Sequence, residues 1–300
     1  MKETLTIFCK NTGEHYEVKP GTSLLEIQQE FGIKTKYQTV HARVNNKTQF
    51  LGYQVYRPKT IEYVDIAESS GMRTYVRSLC FILAKAVSNI YPGKSINIEH
   101  PVSNGYCGVI AGLDEVPQEM IDNIKKEMHS LIAKDLPFVP IEEKTPDVVK
   151  LFRDRGFEDK ALLLEPTRDV YSRYFQLGNY IDYFYGVLVP SSGYISLFDL
   201  EPLNDGFFIR IPSKKNPIEL AEKTQQDKMH RVFHKHIEFL QVVGLENVGD
   251  LNKSIQEGRV SDAIKVAEAL QEKIIAQTAE KIAKRFNDGV RIVLISGPSS

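Results

Sequence analysis

The sequence predicts a mixed α+β protein built from several consecutive parts, and three patterns support that prediction. In residues 1–68, short runs that alternate apolar and polar side chains predict paired strands around one helix. Residues 69–212 begin with a long helical pattern and continue with further strands and helices. Residues 213–289 form a predicted helical connector, and residues 290–300 are predicted to begin an α/β domain.

Composition limits the class of protein. Of the 300 residues, 42% are hydrophobic and 26% charged, which is enough apolar material for buried cores. The formal net charge of −1 gives no global basic field that would indicate nucleic acid. No apolar run reaches the ~18 residues of a membrane helix, and no signal peptide is recognised. We therefore expect a cytoplasmic protein without a membrane partner.

The cysteines Cys9, Cys80 and Cys107 are scattered along the chain without C-x-x-C spacing. Such isolated cysteines are typical of reduced core residues and favour neither a disulfide framework nor a zinc site. We expect three free thiols.

The first 68 residues have the order strand, strand, helix, strand, strand. The predicted strands are Leu5 to Cys9, His15 to Val18, Val40 to Val44 and Ile61 to Ile66. Between the second and third strands, Ser23 and Glu26 have the spacing of a capping box, and Gly32 ends the helix that they begin. This order in so short a segment predicts a β-grasp fold.

Two stretches of this β-grasp, Pro20 to Ile27 and Ala42 to Asn46, resemble the TGS domain that opens threonyl-tRNA synthetases. The resemblance implies contacts with RNA or a regulatory role. The segment has no row of Lys and Arg interleaved with aromatic residues, so a docking or scaffolding role stays open beside RNA binding.

Residues 69–212 open with a predicted helix from Met72 to Tyr91, whose apolar residues recur at three- and four-residue steps before Pro92 and Gly93. Further helices are predicted at Pro117 to Lys134, Thr145 to Gly156 and Lys160 to Leu164. The stretches Arg77 to Val87, Pro101 to Tyr106 and Gly186 to Ile195 resemble the second additional domain of threonyl- and alanyl-tRNA synthetases, the editing domain.

That resemblance implies a His-x-x-x-His pair on the first helix and a Cys-x-x-x-His pair later in the domain, which together could hold zinc or form a catalytic polar cage. Here the first pair matches Arg77 and Phe81, and the second matches Phe184 and Leu188. None of these four side chains can ligate a metal or activate water. We therefore expect no metal and no editing hydrolysis at this place.

The cleft left by these replacements is expected to be lined by Arg77, Phe81, Asn104, Tyr106, Tyr183 and Tyr185. One interpretation is that the aromatic residues fill the former pocket as core. The other is that Arg77 contacts an anion while the tyrosines stack on a base or sugar. If the first holds, Arg77 should pair with Asp182 or Asp199.

Two helices are predicted in residues 213–289. The first, Gln226 to Phe239, places His230 and His234 one turn apart, a metal-ligand spacing that is more typical of a solvated face when no third ligand is near. The second, Ser261 to Phe286, carries an apolar stripe and therefore needs a partner surface. That stripe consists of Val266, Leu270, Ile274, Ala279, Ile282 and Phe286.

The apolar run Arg291 to Ile295 predicts a strand buried on both faces, as parallel sheets use. Gly297, Ser299 and Ser300 follow it as an incomplete phosphate-binding loop, with an ordinary edge strand as the alternative. This ending resembles the start of that loop in uridine kinase-like nucleoside kinases.

The order of the three resemblances is that of long uridine kinase-like proteins of bacteria. It implies a parent that transfers the γ-phosphoryl group of ATP to uridine or cytidine with Mg²⁺. The chain itself lacks that catalytic core, so we expect no catalytic residue and no cofactor of its own. Its expected partners are its own C-terminal kinase domain, the nucleoside and ATP, and a homo-oligomer stays open.

The alternative is an RNA- or nucleotide-binding module derived from a synthetase editing domain. A trans-editing hydrolase is less favoured because the residues for hydrolysis are replaced.

Overall fold

The computed structural model describes residues 4–113, 115–203, 206–224, 226–295 and 297, and for Asp227 and His230 only the backbone. Contacts divide the chain into one unit of residues 1–142 and 173–230 and a second unit of residues 143–172 and 231–300. The predicted division at residues 68, 212 and 289 stays a prediction. The mixed α+β class predicted from the sequence is confirmed.

The first unit begins with the four predicted strands and the predicted helix, together with three short strands that were not predicted. Its elements are β1 (Leu5–Cys9), β2 (Glu14–Val18), β3 (Thr22–Ser23), α1 (Leu24–Glu30), β4 (Thr39–Val44), β5 (Lys47–Gln49), β6 (Gln54–Val55) and β7 (Thr60–Asp65). Five strands form one sheet in the order β2-β1-β7-β4-β5, in which β1 and β7 are parallel and the other pairs antiparallel. Strands β3 and β6 form a separate small antiparallel pair, and β3 directly precedes α1.

Helix α1 begins with the capping box that the sequence predicts. The Ser23 hydroxyl accepts the backbone N–H of Glu26 at 3.2 Å, and the Glu26 carboxylate accepts the backbone N–H of Ser23 at 2.8 Å. Leu24 and Ile27 are fully buried in the same apolar cluster as the inner residues of the sheet. The local cap and the apolar face together fix this helix.

The chain continues through alternating helices and strands. They are α2 (Ser69–Ile90), β8 (Ile96–Val102), β9 (Gly105–Ile110), α3 (Gln118–Ala133), β10 (Val139–Lys144), α4 (Thr145–Asp154), α5 (Glu158–Leu164), β11 (Tyr171–Leu177), β12 (Tyr180–Asp182), a 3₁₀ turn (Ser192–Tyr194), β13 (Asp199–Leu203) and β14 (Gly206–Arg210). One sheet has the order β13-β14-β9-β8 and another β10-β11-β12.

Helix α2 is the central element of the first unit. It packs against β4 and β7 on one side and against α3 on the other, and most of its residues are buried. Its Gly71 lies so close to the carbonyl of Asp65 that an added Cβ would come within 1.9 Å of that oxygen. A glycine is therefore required where α2 meets the first sheet.

The second unit contains α4 and α5 together with α6 (Asp227–Val243), α7 (Val248–Gln256) and α8 (Val260–Asn287). Helix α5 packs against both α4 and α7, and the Asn252 amide donates to the carbonyl of Leu162 at 3.1 Å. The side chains of Asn247 and Asp250 cap the start of α7 reciprocally. These contacts join α4, α5 and α7.

The predicted apolar stripe of α8 is exposed, since the helix has no buried residue and Ile274 is 56% accessible. The predicted strand at residues 290–295 is not formed, and Leu294 and Ile295 are largely exposed. A strand needs a neighbour for its backbone N–H and C=O groups, and residues 290–295 pair with no strand in the described part of the chain. Gly297 is exposed, and Ser299 and Ser300 lie outside the described residues.

Across the described part of the chain, none of the helices combines the length and the apolar character that spanning a membrane requires.

Candidate functional site

The positions that would carry hydrolytic residues are filled by core packing. Phe81 on α2 is fully buried and meets Phe138 and Tyr180 edge-on, with ring centroids 5.4 and 5.7 Å away. Its ring stacks on Phe184 at 5.4 Å, and Leu188 is also buried. At Phe81, Phe184 and Leu188 the interpretation as core is therefore the one that the packing supports, and these residues do not fit a zinc ion.

Two side chains of α2 hold residues 187–197, the segment that carries Leu188, against the helix. The Ser78 hydroxyl accepts the backbone N–H of Val189 at 3.0 Å. The Tyr75 hydroxyl accepts the backbone N–H groups of Ser196 and Leu197 at 3.1 and 2.8 Å. Because both hydroxyls are on buried faces of α2, residues 187–197 are fixed by hydrogen bonds as well as by packing.

Arg77 lies one turn before Phe81 and is half-buried. Its Nε donates to the carbonyl of Val187 at 3.2 Å, and its Nη2 donates to the hydroxyl of Thr74 at 3.2 Å. The guanidinium lies directly against Gly186, where an added Cβ would come within 2.9 Å of the Arg77 Cζ. Gly186 also has φ +120°, a conformation that favours glycine.

Arg77 pairs with neither Asp182 nor Asp199, the two carboxylates that the interpretation of the cleft as core would assign to it. Asp199 instead meets Lys125 of α3 at 2.6 Å, and Asp182 accepts the backbone N–H of Tyr183 at 2.7 Å. Burial, and secondarily the charge of Arg73, lowers the pKa of Arg77, and no carboxylate opposes that effect. Arg77 is thus a partly desolvated cation held by neutral acceptors.

His41 on β4 adjoins this arginine and was missed by the sequence reasoning. It is fully buried, its Nδ1 lies 3.1 Å from the Thr74 hydroxyl, and its Nε2 has no hydrogen-bond partner. Burial lowers its pKa to about 4, with smaller contributions from the charges of Arg43, Arg77 and Arg73. His41 is therefore neutral at ordinary pH. The four-residue spacing of Arg73 and Arg77 was the one signal in the sequence that could have indicated this cluster.

The remaining cleft candidates occupy different environments. Tyr106 on β9 is half-buried, and its pKa is raised mainly by burial, while the nearby charge of Arg73 lowers it. Tyr185, next to Gly186, is 89% exposed, and Tyr183 is half-buried. Asn104 lies in the exposed turn between β8 and β9, where its amide donates to the carbonyl of Glu222 at 3.4 Å.

No group of three or more His, Cys, Asp or Glu side chains is placed to hold a metal ion in the part of the chain that the structure describes. Of the predicted histidine pair on α6, the His230 side chain lies outside that part. His234 is 3.4 Å from the Glu238 carboxylate one turn further on. The three cysteines are buried and form no disulfide within the described residues, and burial raises the pKa of Cys80 to about 12.

The fold is mixed α+β, and similarity to known proteins supports a synthetase-like region in this chain. The chain matches no family model. It is similar to the threonine–tRNA ligase of Rubrobacter xylanophilus, with 24% identity over 196 residues, which cover 65% of this chain and 30% of that protein. With the enzyme of Syntrophomonas wolfei it shares 26% identity over 209 residues, or 69% of this chain and 32% of that protein.

The threonine–tRNA ligase of Clostridium novyi is 24% identical over 182 residues, covering 60% of this chain and 28% of that protein. The chain thus spans about 30% of the length of these relatives. The similarity supports the synthetase-like part of the sequence prediction. The kinase part rests on residues 290–300 and on the order of the parts.

Proposed function

We propose that this chain is a synthetase-derived binding module that binds RNA or a nucleotide at the Arg77 face of α2 and does not hydrolyse it. The observation that carries the proposal is the contrast on one helix between Phe81 and Arg77. Phe81 is fully buried in the core. Arg77 is half-buried beside Gly186, and no carboxylate of the described residues pairs with it.

A guanidinium in this position suits a phosphate. Its planar N–H groups match phosphate oxygens in pairs, and it is more weakly hydrated than an ammonium. Partial burial strengthens the attraction, because water screens the charge less there. An anionic ligand would therefore supply the counter-charge that Asp182 and Asp199 do not.

An exposed aromatic side chain next to the arginine supports a base or sugar as the second recognised group. Tyr185 precedes Gly186, the residue that contacts Arg77, and is 89% exposed. Stacking of one base on one aromatic ring contributes ~1–3 kcal/mol and tolerates any base sequence. Arg77 and Tyr185 together fit a nucleotide unit better than a bare carboxylate.

Binding can be measured by fluorescence anisotropy with a labelled single-stranded ribo-oligonucleotide, and with ATP as a competitor. We expect the Arg77→Ala variant to bind about tenfold more weakly or worse, as for loss of a charge-assisted hydrogen bond. The matched control is Arg57→Ala, which removes the same charge from an exposed site on the β-grasp. Absence of binding by both RNA and ATP, or equal affinity of Arg77→Ala and wild type, would refute the proposal.

A second candidate function is that of an accessory region of a uridine or nucleoside kinase. The exposed apolar residues 292–295 and the exposed stripe of α8 favour it, since both are surfaces that a further domain could cover. ATP and Mg²⁺ would then bind to that further domain, with Gly297 in its phosphate loop. A coding sequence with Gly-Lys-Ser or Gly-Lys-Thr starting two positions after Ser300, and ATP-dependent phosphorylation of uridine by the longer product, would support this candidate.

A further inference from the structure

We infer that Arg73 and Arg77 together bind a single phosphate group, and that the buried His41 positions Arg77 for it through Thr74. The inference rests on the proposed function. Beyond that function, the recognised group is a phosphate, Arg73 is a second residue that contacts it, and His41 is a positioning residue.

Two positive charges, those of Arg73 and Arg77, lie on one face of α2. Arg73 and Arg77 are four residues apart, so their side chains are neighbours on the helix surface. The charge of Arg73 contributes to lowering the pKa of Arg77, and neither residue forms an ion pair within the described residues. Like charges one turn apart repel, and a phosphate between them would turn that repulsion into two attractions.

The guanidinium groups of Arg73 and Arg77 have more hydrogen-bond donors than they use within the described residues. An arginine has five N–H donors, and Arg77 uses only its Nε and one Nη2 hydrogen on Val187 and Thr74. The other N–H groups of Arg77 and all those of Arg73 have no acceptor in the described part of the protein. A phosphate offers several strong acceptor oxygens, which match this surplus of donors.

A chain of hydrogen bonds connects His41 through Thr74 to Arg77. The Thr74 hydroxyl can donate once, and the carbonyl of Ser70 lies 3.2 Å from it, as expected for a threonine bonded back into its own helix. If that bond takes the only proton, the hydroxyl oxygen accepts from both His41 Nδ1 and Arg77 Nη2. This arrangement forms more hydrogen bonds at the Thr74 hydroxyl than the alternative, in which the hydroxyl donates to His41 Nδ1. The proton of neutral His41 is therefore assigned to Nδ1.

The consequence is that His41 fixes Thr74, and Thr74 fixes one end of the Arg77 guanidinium. His41 is completely buried, and its Nε2 has no partner. Packing alone would favour an apolar side chain there, since an unpaired buried nitrogen is destabilising. The hydrogen bond at Nδ1 is the contribution that a leucine could not make.

The surroundings of His41 predict a coupling between phosphate and protonation. The charged groups that face it are Arg43 on its own strand and Arg73 and Arg77 on α2, all cationic. The carboxylates of Glu62 and Glu68 are bound to Arg43. A phosphate at the two α2 arginines would add the missing negative charge, so the pKa of His41 should rise when the ligand binds.

The arginine pair is tested by titrating wild type, Arg73→Ala, Arg77→Ala and the double variant with inorganic pyrophosphate and with the labelled ribo-oligonucleotide. We expect each single variant to bind at least about tenfold more weakly, and the double variant to be only about twofold worse than the weaker single variant, because both residues hold one phosphate. Arg57→Ala should bind like wild type.

The outcomes separate this inference from the proposed function. If Arg77→Ala loses affinity while Arg73→Ala binds like wild type, the proposed function stands and the two-arginine site is refuted. If the two single effects simply multiply in the double variant, the arginines hold different phosphates and the inference also fails. If wild type binds neither RNA nor ATP, the proposed function itself fails.

The positioning role is tested with His41→Asn and His41→Leu. Asparagine can place an N–H near the position of Nδ1, so we expect affinity within about threefold of wild type, whereas leucine should cost about tenfold. A folded His41→Leu protein with wild-type affinity would refute the role.

Because that variant could fail to fold, the NMR signals of the His41 ring in wild type provide a second test. They should show the Nδ1–H form, and the pKa should rise from about 4 with pyrophosphate; an unchanged pKa with pyrophosphate bound would refute the role.

Discussion

The rings of Phe81 and Phe184 stack with their centroids 5.4 Å apart and their planes 30° apart. They occupy two of the four positions at which the synthetase resemblance implies metal- or water-binding side chains. A stacked aromatic pair contributes to stability by burial and by ring–ring attraction. At these two positions the side chains serve packing, whereas Arg77, one turn earlier on α2, is charged and half-buried.

Replacing Phe81 with alanine should destabilise the protein by ~3–5 kcal/mol, because a fully buried ring in contact with three other aromatic rings is removed. Urea unfolding followed by circular dichroism measures the change. Tyr185→Ala is the control, since its ring is 89% exposed, and it should change stability by less than ~0.5 kcal/mol. Equal effects of the two substitutions would contradict the packing described for Phe81.

Gly186→Ala should move the Arg77 guanidinium and weaken ligand binding. The new Cβ would lie 2.9 Å from Cζ of Arg77, and φ +120° is strained for alanine by ~1–3 kcal/mol. Gly13→Ala is a matched control with φ +73° and nothing within 4 Å of the added Cβ, so it tests positive φ without a clash. We expect only Gly186→Ala to reduce affinity in the anisotropy titration, and unchanged affinity would show that Arg77 is not held by this contact.

Stability should fall as pH decreases from about 6.5 to about 4. The pKa of folded His41 is about 4, below the ordinary value near 6.5 that it regains on unfolding, so the unfolded chain binds the proton first. The loss across this range should reach ~3 kcal/mol from His41 alone. Urea unfolding at several pH values measures it, and His41→Asn should have a flatter profile than wild type. Parallel profiles for the two proteins would contradict the burial of a neutral His41.

Local signals in the sequence were sufficient for much of the fold. The capping box of Ser23 and Glu26 and the apolar spacing of α2 depend on residues within a few positions of one another, and both are found as predicted. The core positions of Phe81 and Leu188 follow from residue type once the domain is recognised. Such features need no knowledge of the tertiary arrangement.

Longer-range relationships were not accessible in the same way. Asp199 was one candidate partner for Arg77, but it pairs with Lys125, which is close to it because α3 packs beside β13. His41 lies within the predicted strand Val40 to Val44, and nothing in the strand pattern shows that the Thr74 hydroxyl lies 3.1 Å from its Nδ1. The apolar run at 290–295 forms no strand for a related reason, since strand formation depends on neighbouring strands and none pairs with it among the described residues.

Whether the synthetase-like region binds its ligand without hydrolysing it can be tested with aminoacylated tRNA. The most direct measurement is filter retention of tRNA that carries a radiolabelled amino acid, with the released amino acid counted in the filtrate. We predict that wild type retains the tRNA with the label still esterified, and that Arg77→Ala retains less. Release of the amino acid at a rate proportional to the protein concentration would contradict the claim, because it would mean that the site around Phe81 and Arg77 still activates water.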